Sequence, residues 1–295
     1  MPAPEITAFW EQTIAALRRV EPAATLGPGP QHGMREYTTQ AITLQSYGEV
    51  RLRGVYAVPN TAPPRGGFPA VLCVPGYSGN RPFPTLLPLQ GYATLLLYPR
   101  AQGESKVEWD LDHGTKLTYQ LADREQFYYR GGYMDCMRGL DFLAARPEVD
   151  AARLGMWGRS QGGGLTLATA SLDRRLRAAV AEEPFLCNYP VAVDVGTSPY
   201  RELRDYLAAH PNEREAALAT LAYFDPLNLV DAIECATLVN VGLKDETCPA
   251  RTILPVFDAI RTAGVPKALM VYPDLAHAPS ADFNRHALHW LDTYL

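Results

Sequence analysis

RLGMWGRSQGGGLTLATASL, residues 153–172, decides how this chain is read. A short apolar run ends in Trp157, the pattern Gly158-Arg159-Ser160-Gln161-Gly162 follows, and an apolar segment of helical character comes directly after. This is a strand, a sharp turn and a helix, with a serine at the apex of the turn. Such a turn forces the serine into a strained backbone, and glycines two positions to either side remove side chains that would collide with it. A hydroxyl displayed in this way is a candidate nucleophile, with Gln161 at the positive end of the following helix.

Outward from this unit, similar short apolar runs recur at AVLCV (70–74), YATLLLY (92–98), AAVAE (178–182), ATLVNV (236–241) and KALMVY (267–272). Helical stretches near 132–145, 161–171, 251–263 and 279–294 separate them. Strands apolar along their whole length are buried on both faces, so the alternation predicts an α/β fold: a mostly parallel central sheet with helices on both faces. Before it, residues 5–20 place Ile6, Phe9, Trp10, Thr13, Ile14 and Leu17 at helical spacing, and a Pro/Gly-rich link covers 27–33. TTQAITLQSY and EVRLRGVYAV then alternate as strands of an antiparallel hairpin at a sheet edge. Two segments break the alternation: 103–128, polar and aromatic, and 188–222, largely helical. Both read as insertions over the strand ends within a single domain spanning 1–295, the second as a small lid and 1–34 as a helix and link.

Bulk properties narrow the function. At 295 residues and 47% hydrophobic, the chain can fill a large core. A net charge of −5 without a basic stripe argues against nucleic acid as a partner. No basic leader precedes an apolar stretch and no run approaches eighteen apolar residues, so neither secretion nor a membrane span is expected. Cys73, Cys136, Cys187, Cys235 and Cys248 are scattered, which suits free buried thiols in the cytoplasm and gives no metal-site spacing. No cofactor is signalled.

A serine hydroxyl needs a histidine base, and the base needs a carboxylate. Downstream of Ser160, His277 alone lies in a loop after a late strand; His286 and His289 sit inside the last helix, and His210 lies in the expected lid. Asp245 follows ATLVNV through Gly242-Leu243-Lys244 and is preferred as the acid. Asp274, three residues before His277, and Glu246 are its competitors. A tetrahedral oxyanion requires two main-chain donors. Gln161 supplies one, and Tyr77 in the loop Pro75-Gly76-Tyr77-Ser78-Gly79-Asn80 is the choice for the other.

With these residues assembled, the chain resembles the acetyl xylan esterase and cephalosporin-C deacetylase family, carbohydrate esterase family seven, of the α/β-hydrolase superfamily. The likeness runs through GYSGNR (76–81), YPRAQGES (98–105), YYRGGYMDCMRGLDFLAARPEVD (128–150), GRSQGGGLTLATASLD (158–173), EEPFLCNY (182–189), YFDPLNL (223–229), VGLKDETCP (241–249) and the His277 loop. It implies a deacetylase acting on short acyl esters of carbohydrates and related small molecules, assembled as a homo-hexamer. It puts the triad on Ser160, Asp245 and His277 and the oxyanion donors on Tyr77 and Gln161. It also matches 103–128 to an interface loop in which Trp109 and His113 serve subunit contact. Three departures fall beside the site: Ala101 in the family's Arg-Gly-Gln, Ala278 after the histidine in place of glutamate, and Pro75 in place of histidine. The tie between that glutamate and the Arg-x-Gln loop is therefore absent, and Arg100 and Gln102 are candidate supports only.

The chemistry expected is acyl transfer from a small ester through an acyl-enzyme. The same triad acting on another bond, as in a peptidase or a dienelactone-type hydrolase, is the alternative within the fold. A relative retained only for binding is the alternative outside enzymes.

Overall fold

The computed structural model describes residues 2–261 and 264–295. Among these residues nine strands make one sheet: β1 (Thr25–Pro28), β2 (Tyr37–Gln45), β3 (Arg51–Pro59), β4 (Phe68–Val74), β5 (Ala93–Tyr98), β6 (Val149–Arg159), β7 (Leu176–Glu182), β8 (Ala236–Gly242) and β9 (Lys267–Tyr272), in the order β1-β2-β3-β5-β4-β6-β7-β8-β9. From β5 to β9 every pairing is parallel, whereas β1, β2 and β3 join through antiparallel pairings. The α/β fold expected from the alternating runs, a mostly parallel sheet covered by helices, is present.

The helices are α1 (Pro4–Arg18), α2 (Leu86–Leu89), α3 (Tyr128–Ala144), α4 (Gln161–Leu172), α5 (Tyr189–Ala192), α6 (Arg201–Ala209), α7 (Arg214–Phe224), α8 (Ala250–Ala259) and α9 (Ala281–Tyr294). The helix expected near 251–263 is α8, and positions 262–263 of that range lie outside the described residues.

Two apolar layers explain the stability of this scaffold. On one face α3 and α4 pack on the sheet and α1 packs on α3, with Trp10 stacked on Tyr133 at 5.4 Å and its Nε1 donating to the carbonyl of Tyr223 at 2.9 Å. On the other, Phe283, Ala287 and Leu291 of α9 pack against Trp157, Ala178, Val180 and Leu238. Helix α4 is buried on nearly every side, so its sequence is apolar all round and not striped.

One element departs from the sequence reading. Residues assigned to the Pro/Gly link include the end of β1, which pairs Thr25 to Thr43 and Pro28 to Gln40 and so becomes the edge outside the hairpin. Its side chains are exposed or half-exposed, so it has no alternating pattern to read and exists through backbone pairing.

Parallel strands point their carboxyl ends to the same border of the sheet, and ligands of such sheets bind there. Ser160, Glu183, Asp245 and His277 all follow the ends of β6, β7, β8 and β9 on that border.

Candidate active site

Ser160 joins β6 to α4 with φ 57° and ψ −122°, a left-handed conformation that non-glycine residues avoid. The surroundings hold it there. Its N–H donates to the Glu182 carbonyl at 2.8 Å, and its carbonyl accepts from the N–H groups of Gly164 at 3.1 Å and Phe185 at 2.9 Å. A Cβ on Gly158 would lie 2.1 Å from the Gly162 carbonyl oxygen, so the G-x-S-x-G spacing is a steric requirement of this turn.

The loop after β9 brings His277 to the serine, with Nε2 3.1 Å from Oγ. Its Nδ1 lies 2.7 Å from Oδ2 of Asp245 in the loop after β8. The two loops are fitted to each other: Lys244 N–H donates to the Leu275 carbonyl at 3.0 Å, and a Cβ on Gly242 would meet that oxygen at 2.4 Å. The other oxygen of Asp245 accepts the N–H groups of Thr247 and Cys248, both at 2.8 Å, leaving Oδ2 for the imidazole. The competitors lie elsewhere. Asp274 is exposed and pairs with Lys244 at 2.6 Å, and Glu246, His210, His286 and His289 are exposed.

Tyr77 and Gln161 share one anchor. The Gly76 carbonyl accepts from Nε2 of Gln102 at 3.2 Å and lies 3.5 Å from Nε2 of Gln161, whose Oε1 in turn accepts from the Tyr129 hydroxyl at 2.9 Å. In a trans peptide the C=O and the next N–H point opposite ways, so fixing the Gly76 carbonyl turns the Tyr77 N–H away from the two amides. Among the described residues, neither the Tyr77 nor the Gln161 N–H is spent on a protein acceptor. The Tyr77 side chain is held from two directions: its hydroxyl donates to Glu202 of α6 at 2.5 Å, and Lys116 Nζ sits 4.3 Å from its ring centre. Thr115 also donates to Glu202, at 2.6 Å, so segments 103–128 and 188–222 meet over this loop.

The other expected supports divide. Gln102 is fully buried and touches the site through Gly76. Arg100 does not reach it. Its guanidinium pairs with both carboxylate oxygens of Asp135 at 2.8 and 2.9 Å and donates to the Tyr47 carbonyl at 2.7 Å. Ala101 carries the positive φ of 55° at which glycine would be unstrained. Trp109 packs within its own chain, edge-on to Tyr119 at 5.7 Å, while His113 is exposed beside Asp112.

The sequence reading missed Glu183. It is fully buried, lies 3.5 Å from Nδ1 of His277, and receives Nε of Arg159 at 3.0 Å. Burial pushes its carboxyl up to about 7, against the pull of Arg159 and His277. Two acids at the end of an otherwise apolar strand, Glu182 and Glu183, were the available signal.

The site opens into a cavity of about 720 Å³ lined by Tyr77, Phe83, Leu86, Trp157, Arg159 and Ser160, among others. Asp245, Cys248 and His277 each bring one donor atom within 4.8 Å of the others. Burial raises the Cys248 thiol well above its ordinary range, and both Asp245 oxygens already accept hydrogen bonds. Ser160, His277 and Asp245 thus form one hydrogen-bonded line, while the Cys248 thiol stands beside it, 4.0 Å from Ser160 Oγ.

Fold and site define an α/β-hydrolase with a serine displayed at its elbow. The chain belongs to the acetyl xylan esterase family, whose model matches residues 2–294. It is 27% identical over 303 residues to an acetyl esterase of Xylanibacter ruminicola, covering 97% of this chain but 66% of that protein, so it spans a little under two thirds of that relative's length. Among solved structures, it superposes on an acetyl xylan esterase from Paenibacillus sp. R4 with TM-score 0.92 and 28% identity, over 100% of this chain and 96% of the other. It matches acetyl xylan esterase 1 from Thermoanaerobacterium sp. JW/SL YS485 with TM-score 0.88 and 27% identity, over 100% and 95%.

Proposed function

We propose that the protein removes acetyl and other short acyl groups from carbohydrate or related small-molecule esters, with Ser160, His277 and Asp245 as its triad. The line of contacts at 3.1 and 2.7 Å beneath the strained elbow carries the proposal. His277 Nε2 takes the Ser160 proton while the Oγ electron pair forms a bond to the ester carbonyl carbon. Asp245 holds the ring in the tautomer with Nδ1 protonated and balances the imidazolium. The Tyr77 and Gln161 N–H groups receive the oxyanion, a term on the order of 3 kcal/mol per donor in well-formed sites. Collapse of the intermediate expels the alcohol, which takes the proton from His277. Water then repeats the sequence on the acyl-enzyme and releases the acid.

A cavity of this size, lined by the apolar Phe83 and Leu86 and by the charged Arg159 and Glu182, suits a small polar ester. Segment 188–222 acts as its lid, contributing Pro199 to the wall. The acetylated sugars and cephalosporin-type acetyl esters named by the family resemblance are the first substrates to test. All five cysteines are free and buried, which fits a reducing cytoplasm. Among the described residues no helix is long and apolar enough to cross a membrane. A homo-oligomer is the proposed assembly.

The test is a series of p-nitrophenyl esters from acetate to octanoate beside acetylated xylo-oligosaccharides. The proposal expects turnover highest for acetate and release of acetate from the sugar. Cleavage of peptide anilides with no acetate released would replace it with the peptidase reading.

A further inference from the structure

Glu183 has no place in the serine, histidine and aspartate line, yet it lies closer to the catalytic imidazole than any other group outside that line whose contact is described. We propose that Glu183 is a second carboxylate for the histidine, a positioning residue that faces the imidazolium formed in each half-reaction and is aimed there by Arg159. The inference rests on the triad reading above and assigns a residue that reading does not use.

Three observations carry it. First, Oε2 of Glu183 is 3.5 Å from Nδ1 of His277, on the same ring nitrogen that Asp245 approaches at 2.7 Å. That separation is too long for a second hydrogen bond and short enough for a charge interaction with a fully buried carboxylate. Second, the carboxylate is fixed and not incidental. Arg159, the residue between Gly158 and Ser160, holds it through a hydrogen bond from Nε at 3.0 Å and a charge contact from Nη2 at 2.9 Å, and the main-chain N–H of Glu183 donates to Oδ1 of Asn240 at 2.8 Å. Third, its other oxygen, Oε1, is buried with no hydrogen-bond partner among the described residues. A buried carboxylate left partly unsatisfied is costly to the fold, so its retention beside the base calls for a return in the reaction.

The charges facing Glu183 come from every neighbouring element: Arg159 at the end of β6, Asp245 and the Cys248 thiol after β8, and His277 after β9. Arg159 favours its ionised form; Asp245 and burial oppose it. When His277 takes the serine proton, the new imidazolium shifts this balance toward a charged Glu183. The carboxylate thus interacts more strongly with the transition state than with the resting enzyme, which is the requirement for raising kcat. Glu183 forms and breaks no bond; the proton moves from Ser160 Oγ to His277 Nε2 and on to the leaving alcohol.

The test compares pH profiles of kcat and KM on p-nitrophenyl acetate for the parent, Glu183→Gln, Arg159→Gln and Ser160→Ala, each checked for folding by its thermal transition. Glu183→Gln keeps the side-chain shape and removes the charge. Its plateau kcat should fall about tenfold with KM little changed, and the acid limb should move down by about one pH unit, because the cluster has lost an anion. Arg159→Gln should move that limb the opposite way, since a cation is lost. Equal losses in both variants at every pH, with neither limb moved, would show a structural role and overturn the inference. An inactive parent, or a Ser160→Ala variant as active as the parent, would instead overturn the triad reading.

Discussion

At the scale of single residues, the site depends on which atom each polar group leaves free. Asp245 spends one oxygen on two N–H donors, so the other is fixed in place for His277. Asp245→Asn keeps the size of this group but cannot favour the right tautomer, and kcat should fall about 10⁴-fold with the fold intact. Stopped-time assays on p-nitrophenyl acetate read this directly. Gln102 works at one remove, through the Gly76 carbonyl it helps to pin. Gln102→Ala should lower kcat by about tenfold to a hundredfold and leave KM within about twofold, the signature of a misaimed oxyanion donor. Arg100, three bonds into Asp135 and Tyr47, should behave differently. Arg100→Lys cannot reproduce the paired contact, so thermal stability should drop while kcat per folded molecule is kept.

At the scale of elements, the turn between β6 and α4 and the loops after β7, β8 and β9 are locked by close backbone approaches. A Cβ on Gly164 would lie 2.0 Å from the Phe185 carbonyl oxygen, where α4 passes the chain leaving β7. Gly164→Ala should therefore cost about 3 kcal/mol or more in denaturant unfolding, the range of overpacked buried positions. The elbow was legible in the sequence because its steric demand selects glycine, and the buried strands because burial on both faces leaves continuous apolar runs. The exposed β1 left no such trace, since its partner supplies what its side chains do not. His277 and Asp245 could be read from their places after late strands. Glu183 could not, because sequence spacing does not tell which of two adjacent acids turns inward to the base and which toward the cavity, where Glu182 lies. The junction of Lys116, Tyr77 and Glu202 was equally invisible, as it joins segments far apart in the chain.

At the scale of the whole molecule, a buried carboxyl links stability to pH. Glu183 titrates at about 7 in the folded protein, raised by burial, and near 4.3 when the chain is unfolded. Between these values the folded state binds more protons than the unfolded state, so stability is fullest at the acid end of the window and declines as pH rises through it. Glu183→Gln lacks this titration. Its stability relative to the parent should increase by about 2 kcal/mol between pH 5 and pH 8, measured by urea unfolding at each pH. A constant difference would mean that Arg159 compensates the charge completely. The sheet carries this cost where its parallel strands end, at the border on which the chemistry is proposed to take place.

That chemistry is tested most directly by exposing the folded protein to a fluorophosphonate and mapping the adduct by mass spectrometry of its peptides. One label per chain is expected, on Ser160, with ester hydrolysis lost in step and no labelling of a folded Ser160→Ala variant. A folded protein that hydrolyses p-nitrophenyl acetate while Ser160 stays unlabelled, or a label carried on another residue, would contradict that chemistry.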